Sequence, residues 1–180
     1  MATIEARCLD AFPNWLRSLA DDALGLASVL ERESEGTAPR RAAAALNYLF
    51  KSLDLIPDGL EDLGFIDDAF VMRAAAQAVK LDAESGEAAD ATLERLAEEA
   101  ELVSEFLGSE YARLVKYVAG LEHGAARGRT VSAILGDTSL RAEFVTEVRH
   151  WAAGYVVPSF SRDERNLVKL RSFLLAKLPA

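Results

Sequence analysis

The stretch ALNYLFKSLDLIPDGLEDLGFIDDAF, which runs from Ala45 to Phe70, decides the fold because it reads as two helices joined by a stiff turn. Ile56 precedes Pro57, and a residue before proline is biased away from the helical region, so the first helix is predicted to end near Ile56. Asp58 and Gly59 form a pair that is typical of turns, and Gly64 is predicted to adopt the positive φ of a second bend. The stretch therefore predicts an antiparallel helical hairpin.

Helical periodicity recurs over most of the remaining chain. Apolar residues return at the i, i+3, i+4, i+7 spacing that lays them on one face of a helix. Pro13 is predicted to start the first helix, and Pro158 to stop a late one. Ser161 and Glu164 form a capping-box pattern that predicts the start of the last helix. The predicted fold class is all-α, a single compact array of about six to eight helices that contains the hairpin.

Length, charge and cysteine content limit the function classes. The chain has 180 residues, which is enough for one domain with a real core and short for two. We predict a single helical domain over residues 1–180, with a loop or linker at residues 120–129. The net charge of −9 repels a phosphate backbone, so no nucleic-acid partner is expected. The single cysteine, Cys8, excludes an intrachain disulfide and fits a cytoplasmic location.

No segment of the sequence reads as a membrane span. The longest apolar stretch, Ala42 to Phe50, is far below the ~20 residues that a spanning helix needs. The N-terminal residues lack the basic start and the apolar run of a signal peptide. From Arg149 to Ala180 there are six Lys and Arg residues against two acidic ones, so peripheral contact with anionic lipid stays a minor alternative to packing against the rest of the chain.

Four short groups of residues occur in order along the turn: Tyr48-Leu49, Asp54 to Asp58, Leu63-Gly64 and Asp67-Asp68. This pattern resembles the signature of the YkvA-like family, small bacterial helical domains of unknown function, over roughly residues 41–76. The resemblance implies a small helical hairpin in bacterial proteins that are sometimes membrane-associated, and it carries over no reaction or cofactor. Ser52 and the Glu61-Asp62 pair differ from the residues that are common in the family, which predicts a less rigid and more acidic turn.

The segment between Ser52 and Met72 holds six carboxylates and no Lys or Arg. Carboxylates held close together repel, and a hard divalent cation such as Mg²⁺ or Ca²⁺ relieves the repulsion while it gains oxygen ligands. One hypothesis is therefore a metal-binding site formed by four aspartates: Asp54, Asp58, Asp67 and Asp68. The interpretation that we prefer is structural, with the first two carboxylates bonding local backbone donors and the last two complementing a helix N-terminus.

A second acidic feature is one face of the long helix that follows the hairpin. Its carboxylates are Glu87, Glu94, Glu98, Glu101 and Glu105. Between Leu81 and Glu110 the chain has ten acidic residues and one basic residue. Such a face is typically solvated, and the alternative is a binding strip for a basic partner or a surface that imitates a phosphate backbone.

The sequence offers no catalytic motif. His123 and His150 lack ligand spacing, and Cys8 has no activating base near it in the sequence. A glycine-rich phosphate loop, a GxSxG elbow and an HExxH helix are all missing. We therefore predict a non-enzymatic interaction or adaptor module with an unidentified protein partner and no catalytic residues. The alternative is a divalent-metal-binding regulatory or hydrolytic protein that uses the acidic turn.

Overall fold

The computed structural model of the chain describes residues 1–82 and 90–180. Glu87 of the acidic face lies outside these residues. The described residues form eight α-helices and one short pair of strands, which confirms the predicted all-α fold. The elements are α1 (Ile4–Arg32), α2 (Thr37–Tyr48), α3 (Ile66–Asp82), α4 (Ala91–Leu107), α5 (Tyr111–Gly120), β1 (Ala125–Ala126), β2 (Arg129–Thr130), α6 (Val131–Gly136), α7 (Thr138–Gly154) and α8 (Glu164–Lys177). None of the described helices is both long enough and apolar enough to cross a lipid bilayer.

The predicted hairpin is formed by α2 and α3, which pack antiparallel. At one end Tyr48 of α2 meets Asp67 of α3, and at the other end Arg41 lies 3.8 Å from Asp82. α3 also packs against α1, α4 and α5, and every residue from Ile66 to Ala76 is buried. Buried residues of all eight helices join one hydrophobic core. The hairpin therefore lies largely inside the fold, and four of its polar side chains are removed from water: Asn47, Asp67, Asp68 and Arg73.

The first helix starts earlier than the sequence predicts. α1 begins at Ile4, where the Thr3 Oγ1 caps it by accepting a hydrogen bond from the N–H of Ala6 at 3.2 Å. Pro13 lies inside α1 and not at its start, so that prediction was wrong. A proline within a helix removes one backbone hydrogen bond and costs about 3 kcal/mol. The buried side chains of Phe12 and Trp15 beside it contribute the packing that offsets this cost.

Two helix boundaries also differ from the prediction. α2 ends at Tyr48, well before Ile56. Leu49 and Phe50, which continue the helical period, are buried in the turn that follows, so they satisfy the apolar pattern without extending the helix. α8 is capped by Asp163, whose Oδ1 accepts from the N–H of Arg165 at 2.8 Å. The predicted Ser161 cap was therefore wrong, because aspartate is an equally good N-cap and stands closer to the helix.

The segment predicted as a loop or linker at residues 120–129 has local structure. A single 3₁₀ turn at 121–123 leads into β1 and β2, which pair antiparallel. The bend between the strands has Arg127 at φ 50° and Gly128 at φ 77°. Asn47 Nδ2 of α2 donates to the carbonyl of Arg129 at 3.1 Å, and the Arg129 guanidinium lies 2.6 Å from Glu147 of α7. These contacts fasten the segment to the helices on both sides of it.

A buried ion network joins α1, α3 and α4. The Arg73 side chain is fully buried, with its Nη2 lying 3.4 Å from Asp22 Oδ2 and 2.6 Å from Glu99 Oε2. Its guanidinium also lies over the ring of Trp15, 4.1 Å from the centroid. Arg95 of α4 reaches the other oxygen of Asp22 at 2.5 Å. Because the buried Asp22 is paired with two cations, its charge is compensated inside the core.

Candidate functional site

The acidic turn, residues 49–65, is closed by a buried tyrosine. Tyr48 Oη donates to Asp67 Oδ2 at 2.5 Å and accepts a hydrogen bond from the backbone N–H of Leu55 at 2.8 Å. The N–H of Ile56 donates to the same carboxylate oxygen at 3.2 Å. The end of α2, the middle of the turn and the start of α3 therefore share one hydrogen-bond network.

The second bend of the turn uses left-handed backbone at two residues that are not glycine. Asp62 has φ 65° and Phe65 has φ 64°, and each carries a strain on the order of 1–3 kcal/mol. The carbonyl of Asp62 accepts from Asn166 Nδ2 of α8 at 2.9 Å, which helps to hold this shape. Gly64 was predicted to supply the positive φ and does not. It is needed for space instead, because a Cβ there would lie 2.1 Å from the carbonyl oxygen of Asp58.

The four aspartates that the sequence singled out surround this network, and we call them the carboxyl cluster (Asp54, Asp58, Asp67 and Asp68). Asp67 is fully buried, Asp68 is 2% exposed, and the other two are half-buried. One oxygen of each carboxyl group is buried without a hydrogen-bond partner among the described residues. No Lys or Arg of the described chain forms an ion pair with any of the four.

Burial raises the pKa of every carboxyl group in the cluster. Burial and then the charges of Asp58 and Asp67 raise the pKa of Asp54 to about 7. The pKa of Asp68 lies well above its usual range, first because of burial and then because of the other three carboxylates. Burial also raises the pKa of Asp67, although the hydrogen bonds from Tyr48 and Ile56 oppose this shift. The four groups are therefore close enough for each charge to be felt by its neighbours.

The cluster stays a predicted metal site. Its unpartnered oxygens are the hard ligands that Mg²⁺ and Ca²⁺ prefer. Yet within residues 1–82 and 90–180 no group of three or more His, Cys, Asp or Glu side chains is arranged so that it could hold a metal ion. The structural interpretation assigned local backbone donors to Asp54 and Asp58, and the structure differs from it in detail. Asp67 accepts a hydrogen bond across the turn from the N–H of Ile56. The Oδ1 atoms of Asp54 and Asp58 have no donor among the described residues.

An open apolar groove lies beside the same bend, and we call it the aromatic groove. It has a volume of about 410 Å³ and is lined by Phe65, His150, Trp151, Gly154, Tyr155 and Val156. The ring of Phe65 packs edge-on against Tyr155, with 5.4 Å between centroids, and 6.1 Å separates it from Trp151. Val156 is 81% exposed. The sequence did not predict this groove, because it joins the acidic turn to the end of α7, far along the chain.

The acidic face of α4 remains in contact with solvent. Glu94, Glu98 and Glu101 are exposed on it. Glu105 is paired with Arg7 of α1, with 2.6 Å between the guanidinium and the carboxylate. These positions agree with the solvated-face interpretation of the strip.

The C-terminal cations divide into two sets. Arg149 pairs with Glu31, and Arg162 lies 3.5 Å from Asp10, so both contact α1. Arg171 donates to the carbonyl of Leu107 at 3.1 Å. The second set consists of Arg165, Lys169 and Lys177, which are exposed on α8. Only this second set presents free cationic surface in the C-terminal part of the described chain.

We expect Tyr48→Phe to lower the free energy of unfolding by about 2 kcal/mol, because it leaves the buried N–H of Leu55 without its acceptor and Asp67 without a donor. Urea unfolding measures the change. Tyr117→Phe is the matched control, since its hydroxyl bonds the half-buried Lys51 Nζ, and it should cost distinctly less. Equal losses in the two variants would show that the Tyr48 hydroxyl does not close the turn.

Comparison with known proteins gives one family match. No curated protein and no solved structure matches the chain. The matched residues include most of α2, the acidic turn and the start of α3, which together hold Tyr48 and the whole carboxyl cluster. Residues 41–73, which we call the family segment, match the model of the family described as a protein of unknown function (DUF1232), in agreement with the YkvA-like resemblance.

Proposed function

We propose that the protein is a non-enzymatic helical interaction module and that the aromatic groove is its docking face. The observation that carries this proposal is the open cluster of Phe65, Trp151 and Tyr155 with the exposed Val156 at its edge. Aromatic side chains of this kind dominate the binding energy of protein interfaces because they bury large apolar areas at low entropic cost. The groove also includes a residue of the acidic turn, so the family segment contributes directly to the proposed surface.

The lining of the groove indicates the kind of partner. Among the described residues that line it there is no Asp, Glu, Lys or Arg, and His150 is the only ionisable side chain besides Tyr155. The neighbouring Val157 is 46% exposed, which extends the apolar surface along the chain after α7. An uncharged segment of a protein partner, inserting an aliphatic or aromatic side chain, suits this surface because no buried charge would be left unpaired.

The proposal is tested by site-specific photo-crosslinking in cells of the source organism. A photoreactive amino acid at position 156 should give one discrete protein adduct, and the same amino acid at Val168 should not. Val168 is the matched control because it is also an exposed valine, 67% accessible, on the separate surface of α8. The adduct identifies the partner for the binding measurement that follows.

Binding of the purified partner should weaken at least tenfold in Val156→Glu and stay within twofold in Val168→Glu, because only the first places a charge at the groove. Circular dichroism checks that both variants stay folded. Adducts at both positions in equal yield, or equal affinities of the two variants, would overturn the proposed docking face.

A further inference from the structure

The carboxyl cluster lacks the compensation that buried carboxylates normally have. Buried polar groups are almost always hydrogen-bonded, and buried charges are almost always paired, because an unpaired charge in the interior is costly. Here Asp67 and Asp68 are buried, and each has one oxygen without a hydrogen-bond partner in residues 1–82 and 90–180. Their neighbours Asp54 and Asp58 add two more such oxygens. Four negative charges in this arrangement would repel each other with little solvent between them.

We propose that Asp54, Asp58, Asp67 and Asp68 form a buried proton-binding site, which holds the acidic turn closed when it is protonated and loosens the turn when the protons leave. A bound proton removes one negative charge, which reduces the repulsion between the carboxylates. It also turns one carboxylate oxygen into a hydrogen-bond donor, which can bond to an unpartnered oxygen of the cluster. The ligand of the site is therefore the proton. The proposal does not depend on the docking function of the aromatic groove.

Groups of the described chain face the cluster from three elements, and none of them provides a contacting positive charge. From α2, the Tyr48 hydroxyl donates a hydrogen bond to Asp67. From the turn, Lys51 lowers the pKa of Asp54, but its Nζ bonds Tyr117 and forms no described ion pair with the cluster. After α7, Tyr155 lies close enough for Asp68 and Asp58 to raise its pKa beyond the effect of burial, and its hydroxyl donates to the carbonyl of Leu16 at 2.8 Å. Most of the negative charge of the cluster can therefore be neutralised only by protons that bind to the carboxylates.

Proton release should act first on the hydrogen bonds that cross the turn. The N–H of Leu55 is held by Tyr48 of α2 and the N–H of Ile56 by Asp67 of α3, so repulsion within the cluster separates the turn from these two helices at the two amides. The direction of the pH effect follows from the raised pKa values. Because the folded chain holds protons that the unfolded chain has released, stability falls as pH rises from the ordinary carboxyl range through about 7, the pKa of Asp54.

The first test is a carbon NMR titration of the full chain with labelled aspartate side chains. We expect at least two carboxyl resonances to stay protonated at pH 5.5 and one of them to titrate near pH 7. Asp54→Asn and Asp68→Asn should each remove one raised midpoint and shift another downward. Asp21→Asn, at an exposed position of α1, is the matched control and should leave the raised midpoints unchanged.

The second test is amide hydrogen exchange, corrected for the intrinsic effect of pH. Protection of the Ile56 amide should fall at least tenfold between pH 5.5 and 8.5 in the wild type and less than threefold in Asp68→Asn. Titration of all four carboxyl groups below pH 5 would overturn the proposal, as would constant protection at Ile56. Loss of the raised midpoints on addition of 1 mM Mg²⁺, Ca²⁺ or Mn²⁺ would also overturn it, since the site would then be a cation site.

Discussion

Arg73→Met is expected to lower the free energy of unfolding by about 3–4 kcal/mol. Methionine retains much of the apolar volume, but it removes the cation that lies between Asp22 and Glu99 and over the ring of Trp15. The fully buried Asp22 then keeps only Arg95 as a charged partner. Breaking a buried pair on one side is costly because the remaining charge is left without full compensation. Urea unfolding at pH 7 measures the loss.

Arg95→Met is the matched control for this variant, because Arg95 binds the same two carboxylates from a side chain that is 45% exposed. Solvent screens an exposed cation, so its removal should cost clearly less than the removal of Arg73. A loss in Arg95→Met as large as that in Arg73→Met would mean that the burial of Arg73 adds nothing to the network.

Gly64→Ala is expected to lower the free energy of unfolding by about 3 kcal/mol, at the upper end for an overpacking substitution. The added methyl group would lie 2.1 Å from the carbonyl oxygen of Asp58 and 3.3 Å from that of Leu60. Both atoms belong to the backbone, so a side-chain rotation cannot relieve the contact, and the turn itself has to shift. Urea unfolding gives the change in stability, and amide exchange at Ile56 shows whether the turn has opened.

Gly59→Ala tests whether the effect comes from crowding. Gly59 lies in the same turn, is exposed, and has nothing within 4 Å of the position that a Cβ would take. Neither glycine has a positive φ, so backbone strain does not distinguish them. Gly59→Ala should therefore be close to neutral, and a similar loss in both variants would refute the assigned role of Gly64.

Much of the fold could be predicted from the sequence because apolar periodicity reports directly which faces of helices are buried. The confirmed hairpin and the all-α class both rest on this signal. The errors occur where tertiary packing overrides a local rule. Pro13 lies inside α1 because the neighbouring side chains are buried, and Leu49 and Phe50 keep the helical period although α2 has ended.

The candidate site could be predicted only in part. An unusual density of carboxylates pointed to the cluster, and the structure places those four side chains around one network. The role of Tyr48 was missed because its hydroxyl joins atoms that lie 7 and 19 residues away. The sequence could have indicated a buried role for Arg73, because it is the single arginine within the apolar run from Ala69 to Ala76. Its partners Asp22 and Glu99 come from other helices, which spacing cannot reveal.

The contact between Asn166 and the carbonyl of Asp62 has a consequence for the order of folding. The two residues are 104 positions apart, and the asparagine comes from the last helix. A chain grows from its N-terminus, so α2 and α3 are made long before α8 is present. The left-handed bend at Asp62 therefore lacks this support until α8 has been made, and the family segment reaches its final shape only when α8 docks.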